Sequence, residues 1–245
     1  TTGGLAASAS TTLTYAGVVN GLGARAVNAA TDATGTVILS SADIFMGGTT
    51  VSRGTLQLGN AGALGIGTLA LNGGTVNGST ALTALTLGGL SGTATGSLLS
   101  LSNTNATPAA IALSVGSNNA STSYLGVISG LGSVTKIGTG TLTLAGANTY
   151  TGATAINRGG VTLDFSAATP TTNILAATSA LSMGGGMLTL TGKASTTNAQ
   201  TFAGLTLNSG ANAIVLTANA TANPLALTVG AITANAGATL NVTLP

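Results

Sequence analysis

Three carboxylates are the whole acidic inventory of this 245-residue chain: Asp32, Asp43 and Asp164. Cleaving a glycan needs two carboxyl groups flanking the scissile bond, or a basic side chain working beside bound calcium. No two of these aspartates are close in sequence, and the chain has no Glu, His or Cys to assist them. Asp32 falls in a stretch that reads as a loop, Asp43 within a turn, and Asp164 directly after a strand. Each therefore fits a turn or capping role, and no catalytic residue, cofactor or metal is expected. Calcium-binding repeats of the G-G-x-G-x-D type are absent, and zero cysteines remove disulfides, thiolate metal sites and thiol catalysis together.

The five cations, Arg25, Arg53, Lys136, Arg158 and Lys193, are scattered singly. A pI near 9.4 therefore rests on a small excess of charge, not on a basic stripe, and aromatics are only 2% of residues. Without a cationic track for phosphates or rings to stack bases, nucleic-acid binding is not expected. Arg53 and Arg158 sit in matched "VSRG" and "INRG" segments. They read either as a ligand-binding ladder or, preferably, as solvated charges flanking a turn. Lys136 and Lys193 read in the same way. Tyr15, Tyr124, Tyr150 and Phe45 also occupy matched positions. They read as plugs of a core or turn in preference to sugar-binding platforms. The N-x-[ST] sites at Asn77, Asn105, Asn119, Asn219 and Asn241 are what this composition yields by chance.

The elements that carry these residues repeat. "GTVILSSADIFMGGTTVSRGTLQL" (35–58) aligns without a gap on "GTLTLAGANTYTGATAINRGGVTL" (140–163), an offset of 105. Phe45 falls on Tyr150, Gly47 on Gly152, and Arg53 on Arg158. Upstream, "YAGVVNGLG" (15–23) matches "YLGVISGLG" (124–132) at an offset of 109, which pairs Tyr15 with Tyr124. Downstream, "LALTVG" (225–230) resembles "IALSVG" (111–116). The chain thus divides into a lead-in over 1–14 and two modules, roughly 15–123 and 124–245, of one continuous array.

Within each module short apolar/Thr alternations recur, among them "TVIL" at 36, "TLQL" at 55, "TLAL" at 68 and "TLTL" at 141. Such alternation marks a strand with one buried face, and the Gly, Asn, Ser and Ala between strands suit turns. An outer-membrane barrel would want strands of about 9–11 residues and aromatic girdles. A sandwich would want a large aromatic-containing core. The remaining all-β architecture is a parallel β-helix, or β-solenoid, with a narrow core of Leu, Val, Ile and Ala. Roughly a dozen coils at about 4.8 Å each would give a rod on the order of 60 Å long. Stacking also explains why only 3% of residues are charged. Like charges on successive coils would repel, whereas stacked Thr and Asn can hydrogen-bond.

The stretch "SNNASTSYLGVISGLGSVTKIGTGTLTLAGANTYTGATAINRGGVTLDF" (117–165) is similar to the autotransporter-associated β-strand repeat of bacterial surface proteins. "TTVSRGTLQLGNAGALGIGTLALNGGTVNG" (49–78) looks like its continuation. The resemblance implies a parallel β-helix outside the cell and implies no particular activity. No C-terminal translocator barrel and no signal peptide are visible, so the chain is expected to be a segment of something longer or a secreted protein.

These readings converge on a non-catalytic structural solenoid at the cell surface or outside the cell: a stalk, fibre or matrix subunit. Self-association, end to end into filaments or laterally, is the expected partnership, since no charged cap is evident at either terminus. The alternative is an adhesin passenger that holds cell-surface glycan or another surface. A β-helix polysaccharide-degrading enzyme is the remote alternative. No segment has 18 consecutive apolar residues, so no membrane-spanning helix is expected. Thr-x-Thr runs at 12–14, 139–143 and 189–191 are too irregular for a dedicated ice-binding face.

Overall fold

The computed structural model describes residues 2–167, 170–218 and 224–245. Asn219, one of the five N-x-[ST] sites, lies outside them. Among the described residues there are 26 strands and no helix, and every pairing between strands is parallel.

Alternation dictates the wall of the object. In Thr36–Leu39, Thr55–Leu58, Thr68–Leu71 and Thr141–Leu144 the Thr and its i+2 neighbour face outward while the two aliphatic residues are buried. A strand buried on one side needs somewhere to put that side, and these strands are too short to close a barrel or sandwich. The chain instead turns after each strand and returns one level higher. Val37, Leu56, Val76, Leu99 and Ile128 then stack in register, all essentially inaccessible to solvent. Leu142, Val161, Leu188 and Ile214 form a second such column. Burying each of these side chains stabilises the stack by roughly 1.5–3 kcal/mol.

Each coil has three sides. The chain runs along face one at Ala24–Val27, face two at Thr36–Leu39 and face three at Ile44–Phe45, then returns to face one at Thr49–Val51. Face one is the longest ladder, with eleven strands. Its first five end at Gly89–Ser91, and the six from Thr122–Tyr124 onward join them through the Gly92–Tyr124 bridge. Eleven levels at about 4.8 Å make a rod on the order of 50 Å. That is close to the dozen coils expected from the sequence.

Coil length varies. In-register partners are 19 positions apart between Leu144 and Leu163 and 32 apart between Gly92 and Tyr124. Extra residues leave as loops at the corners, so the ladders stay in phase. Pairing runs straight through residue 123: Leu98 pairs with Val127 and Leu113 with Val134.

The two sequence copies are not related by a simple translation along the rod. Ala24–Val27 belongs to the face-one ladder, but its counterpart Val134–Lys136 belongs to the face-three ladder. Thr36–Leu39 is on face two, and its counterpart Thr141–Leu144 is on face one. Between them the chain returns to face two at Thr55, Thr75, Leu98 and Val127, then advances two more sides. The repeat is therefore four coils plus two sides, and the second copy is turned by one face around the axis. Local pairing is nonetheless reproduced: Arg25 opposes Thr49 as Val134 opposes Thr154, and Val27 opposes Val51 as Lys136 opposes Ile156.

Candidate functional site

The only buried ion pair among the described residues joins Arg25 to Asp43. Arg25 is the first inward residue of Ala24–Val27, and Val27 is the second. Asp43 sits just before Ile44–Phe45, two sides further along the same coil. The Arg25 guanidinium donates to an Asp43 carboxylate oxygen and to the carbonyl of Ala63 (3.1 Å). It also lies over the Phe45 ring, 4.6 Å from the centroid. The other Asp43 oxygen accepts the Val19 N–H at 2.8 Å. Charge, hydrogen bonds and ring face together offset the cost of removing two ions from water.

A cavity of about 310 Å³ opens beside this pair, lined by Leu5, Tyr15, Val19, Arg25 and Phe45 among others. Its cause is local. Gly3 is the in-register partner of Arg25, so face one offers no side chain to cover the guanidinium from the first coil. Tyr15 is only half-buried here, whereas its counterpart Tyr124 is fully buried.

The other carboxylates are elsewhere and otherwise engaged. Asp164, at the end of Gly160–Asp164, accepts from the Ser166 N–H (2.9 Å) and hydroxyl (2.6 Å), which caps the following turn. Asp32 is exposed in the corner between Ala24–Val27 and Thr36–Leu39. One aspartate is thus held by an arginine, one caps a turn and one is solvated. The arrangement brings no two carboxylates to a shared substrate. Among the described residues no three of His, Cys, Asp and Glu form a group that could hold a metal ion.

The cations divide in a way the sequence reading missed. Arg53, Arg158 and Lys193 are exposed. Lys136, expected to be solvated like them, is 1% exposed. It occupies the inward position equivalent to Val27, with its stem in the core and its ammonium donating to the carbonyls of Ile137 and Gly138 (3.0 Å to the latter). Burial lowers its pKa from the usual lysine value. The missed signal was parity. Arg25 and Lys136 both fall on the inward phase of an alternating strand, at positions where the other copy has Val134 and Val27. Asp43 likewise stands where the other copy has the neutral Asn148.

Of the matched aromatics, Phe45, Tyr124 and Tyr150 are completely enclosed. The Tyr124 hydroxyl donates to the Ser97 carbonyl at 3.1 Å, and Tyr150 pairs with the Thr154 hydroxyl at 2.6 Å. Burial raises the Tyr124 pKa to about 12, against a smaller lowering by the Ser97 hydroxyl. Tyr150 is raised for the same reason, opposed by Thr154. None of these three rings is available to stack on a sugar. Gly47 and Gly152 each lie directly against a carbonyl of the preceding coil, that of Gly23 and Gly132 respectively, and a Cβ on either would overlap it.

What remains outside is a set of neutral columns. On face three, Thr86, Ser114, Thr135, Ala155, Ser182, Thr206 and Thr233 follow one another in register over seven levels. On face one, Ser123, Thr143, Thr162 and Thr189 do the same, followed by Val215 and Thr243.

The passenger-associated-transport-repeat family matches residues 34–58 and 134–163. These ranges contain both of the gap-free copies read from the sequence, 35–58 and 140–163. The chain is also similar to the adhesin BmaC autotransporter of Brucella suis biovar 1 (strain 1330), with 39% identity over 215 residues. That alignment covers 86% of this chain and 6% of the relative. No solved structure matches. The family match and the relative agree with the resemblance read from the sequence, and both indicate a cell-surface or extracellular location. Among the described residues no helix is long and apolar enough to cross a membrane.

Proposed function

We propose that this chain, a carrier of two passenger repeats, is a non-catalytic stretch of a surface adhesin that presents neutral, hydroxyl-lined faces to other surfaces. The observation that carries the reading is the fate of the charged side chains. Four of the eight are engaged, in the Arg25–Asp43 pair, the Lys136 carbonyl contacts and the Asp164 turn, and Asp32, Arg53, Arg158 and Lys193 are exposed. The outer face is left with long columns of Thr and Ser in register. Repeated hydroxyls at about 4.8 Å suit a neutral polyhydroxylated partner such as cell-surface glycan. The name of the Brucella relative, an adhesin, supports the same reading.

A glycan array and a cell-adhesion assay on the purified chain test it. Binding that is lost in a Thr135→Val/Ser182→Ala/Thr206→Val variant of unchanged fold is the expected result. No binding by the wild-type chain on either assay removes the adhesive reading and leaves a stalk, which the rod-like stack favours. Activity on a polysaccharide that survives in Asp43→Asn and Asp164→Asn variants would remove these carboxylates from any enzymatic role. Self-association belongs to the same proposal, and a regular filament in electron micrographs would support its end-to-end form.

A further inference from the structure

Three asparagines are followed directly by glycine: Asn20, Asn72 and Asn77. In such a pair the glycine nitrogen can attack the neighbouring side-chain amide, because no Cβ shields it and the glycine backbone turns freely. The five-membered ring closes only if the peptide unit after the asparagine can rotate. Hydrogen bonding in the ladders therefore decides which of the three reacts.

Two of the pairs are held in strands. Asn20–Gly21 is paired with Ile44–Phe45. Asn77 and Gly78 stand opposite Gln57 and Leu58, and Gly78 also opposes Asn103 on the coil after. Asn72 and Gly73 lie instead in a corner, between Thr68–Leu71 and Thr75–Gly78. Asn72 is exposed. Its N–H donates to the Val51 carbonyl at 2.9 Å and the Thr75 N–H to the Gly54 carbonyl at 2.8 Å, but the Gly73 N–H between them has no acceptor among the described residues. The Asn72 side-chain oxygen accepts the Thr93 N–H of the coil after at 3.3 Å, which keeps the amide at the corner.

A second corner, held in the same way, is an internal control. In Asn157–Arg158–Gly159 the asparagine is again exposed, and its N–H donates to the Lys136 carbonyl of the coil before at 3.1 Å. The third residue is again a glycine of positive φ, 65° at Gly159 and 73° at Gly74. The middle residue differs, and the Arg158 Cβ shields the nitrogen that Gly73 leaves open. The corner at Gly73 admits no such side chain, because a Cβ there would run into the Ser52 carbonyl.

We propose that Asn72 is a site of spontaneous modification, at which the side-chain amide becomes an acid with water as co-reactant. The deprotonated Gly73 nitrogen bonds to Asn72 Cγ. The Cγ–Nδ2 bond breaks, and Nδ2 leaves as ammonia with a proton taken from water. Water then opens the cyclic imide. Cleavage of the ring bond to Cγ gives an aspartate, and cleavage of the bond to the main-chain carbonyl carbon gives an isoaspartate. The aspartate leaves the ladder intact and adds a fourth carboxylate beside the corner that carries the exposed Arg53 one coil before. The isoaspartate lengthens the main chain by one carbon in a corner fixed at both ends by strands, so the coils there must loosen. The proposal does not depend on what the hydroxyl columns bind.

Ageing the purified chain in mildly alkaline buffer tests it. Peptide mapping by mass spectrometry reads each asparagine, and isoaspartyl methyltransferase labels the isoaspartate. In the folded chain Asn72 is expected to convert at least about tenfold faster than Asn20, Asn77 or Asn157. In concentrated urea Asn20, Asn72 and Asn77 are expected to convert at similar rates, with Asn157 still slow. Asn72→Gln should remove the acidic species that isoelectric focusing detects in aged wild type. Equal rates at the three Asn–Gly pairs in the folded chain overturn the proposal. So do a preference for Asn72 that persists unchanged in urea, and acidic species that form as fast in Asn72→Gln as in wild type.

Discussion

Asp43 and Asn148 hold the same backbone from different sides of the rod. Asp43 accepts the Val19 N–H and Asn148 accepts the Ile128 N–H, each at 2.8 Å. Their remaining polar atoms diverge. Asn148 donates to the carbonyls of Gly146 and Ile174, whereas Asp43 receives Arg25. The matching difference lies across the core, where Arg25 is replaced by Val134. One copy thus solves the corner with an amide and an aliphatic side chain, the other with an ion pair.

Asp43→Asn alone keeps the Val19 hydrogen bond but leaves the Arg25 charge buried without its partner. A loss of about 3–5 kcal/mol is expected, since breaking a buried pair costs more than the pair contributes. The double variant Arg25→Val/Asp43→Asn copies the second module and should recover most of that loss. Urea denaturation followed by circular dichroism measures both. If the single and double variants are equally destabilised, the two positions are not coupled.

Lys136 sets a rising limb in stability against pH. Its folded pKa lies below its unfolded value because burial disfavours the ammonium. Between those two values the unfolded chain binds more protons, so stability rises as pH climbs toward about 10.5. Lys136→Met should flatten that limb and stabilise the protein at neutral pH, as measured by Tm across a pH series.

Tyr124 acts in the opposite sense at higher pH. The phenol titrates near pH 12 when folded and at 10.0 in its unperturbed state. Above pH 10 the unfolded chain loses a proton that the folded chain keeps, so stability falls by roughly 2–3 kcal/mol by pH 12. Tyr124→Phe should remove that part of the alkaline loss, with Tyr150 still contributing a loss of the same sign. Alkaline urea melts of the variant and wild type check this.

Gly47→Ala and Gly152→Ala should be destabilising to similar degrees. In each the new methyl meets a carbonyl of the coil before, at Gly23 or Gly132, and the coils must spread to admit it. Overpacking of this kind costs about 1–3 kcal/mol. A Tm drop of several degrees in both variants is expected from thermal melts. Arg53→Ala and Arg158→Ala, at exposed corners, should stay within about 0.5 kcal/mol of wild type on the same measurement.

Much of the fold was legible because its signals are local. The two-residue alternation of "TLTL" and "TVIL" forces one side inward, and the gap-free 105-residue match shows that spacing is held. Lack of charge follows from stacking like on like. The burial of Lys136 was also written in that alternation, but residue type suggested solvent, and parity proved the stronger constraint. The Arg25–Asp43 pair could not be read so directly. Its members are 18 positions apart on two faces, and only closure of the coil brings them together.

The sequence by itself determined that this is a stacked, one-sided β object poor in charge, because alternation and composition act residue by residue. The tertiary structure alone decided which residues share a level and a face. A coil of three sides does not divide evenly into a 105-residue repeat. The second copy is therefore turned around the axis, and Thr149 and Thr151 face another side of the rod than their counterparts Ile44 and Met46. Contacts between coils depend on where the corners place each strand, and corner loops of varying length leave no fixed mark in the pattern of the strands.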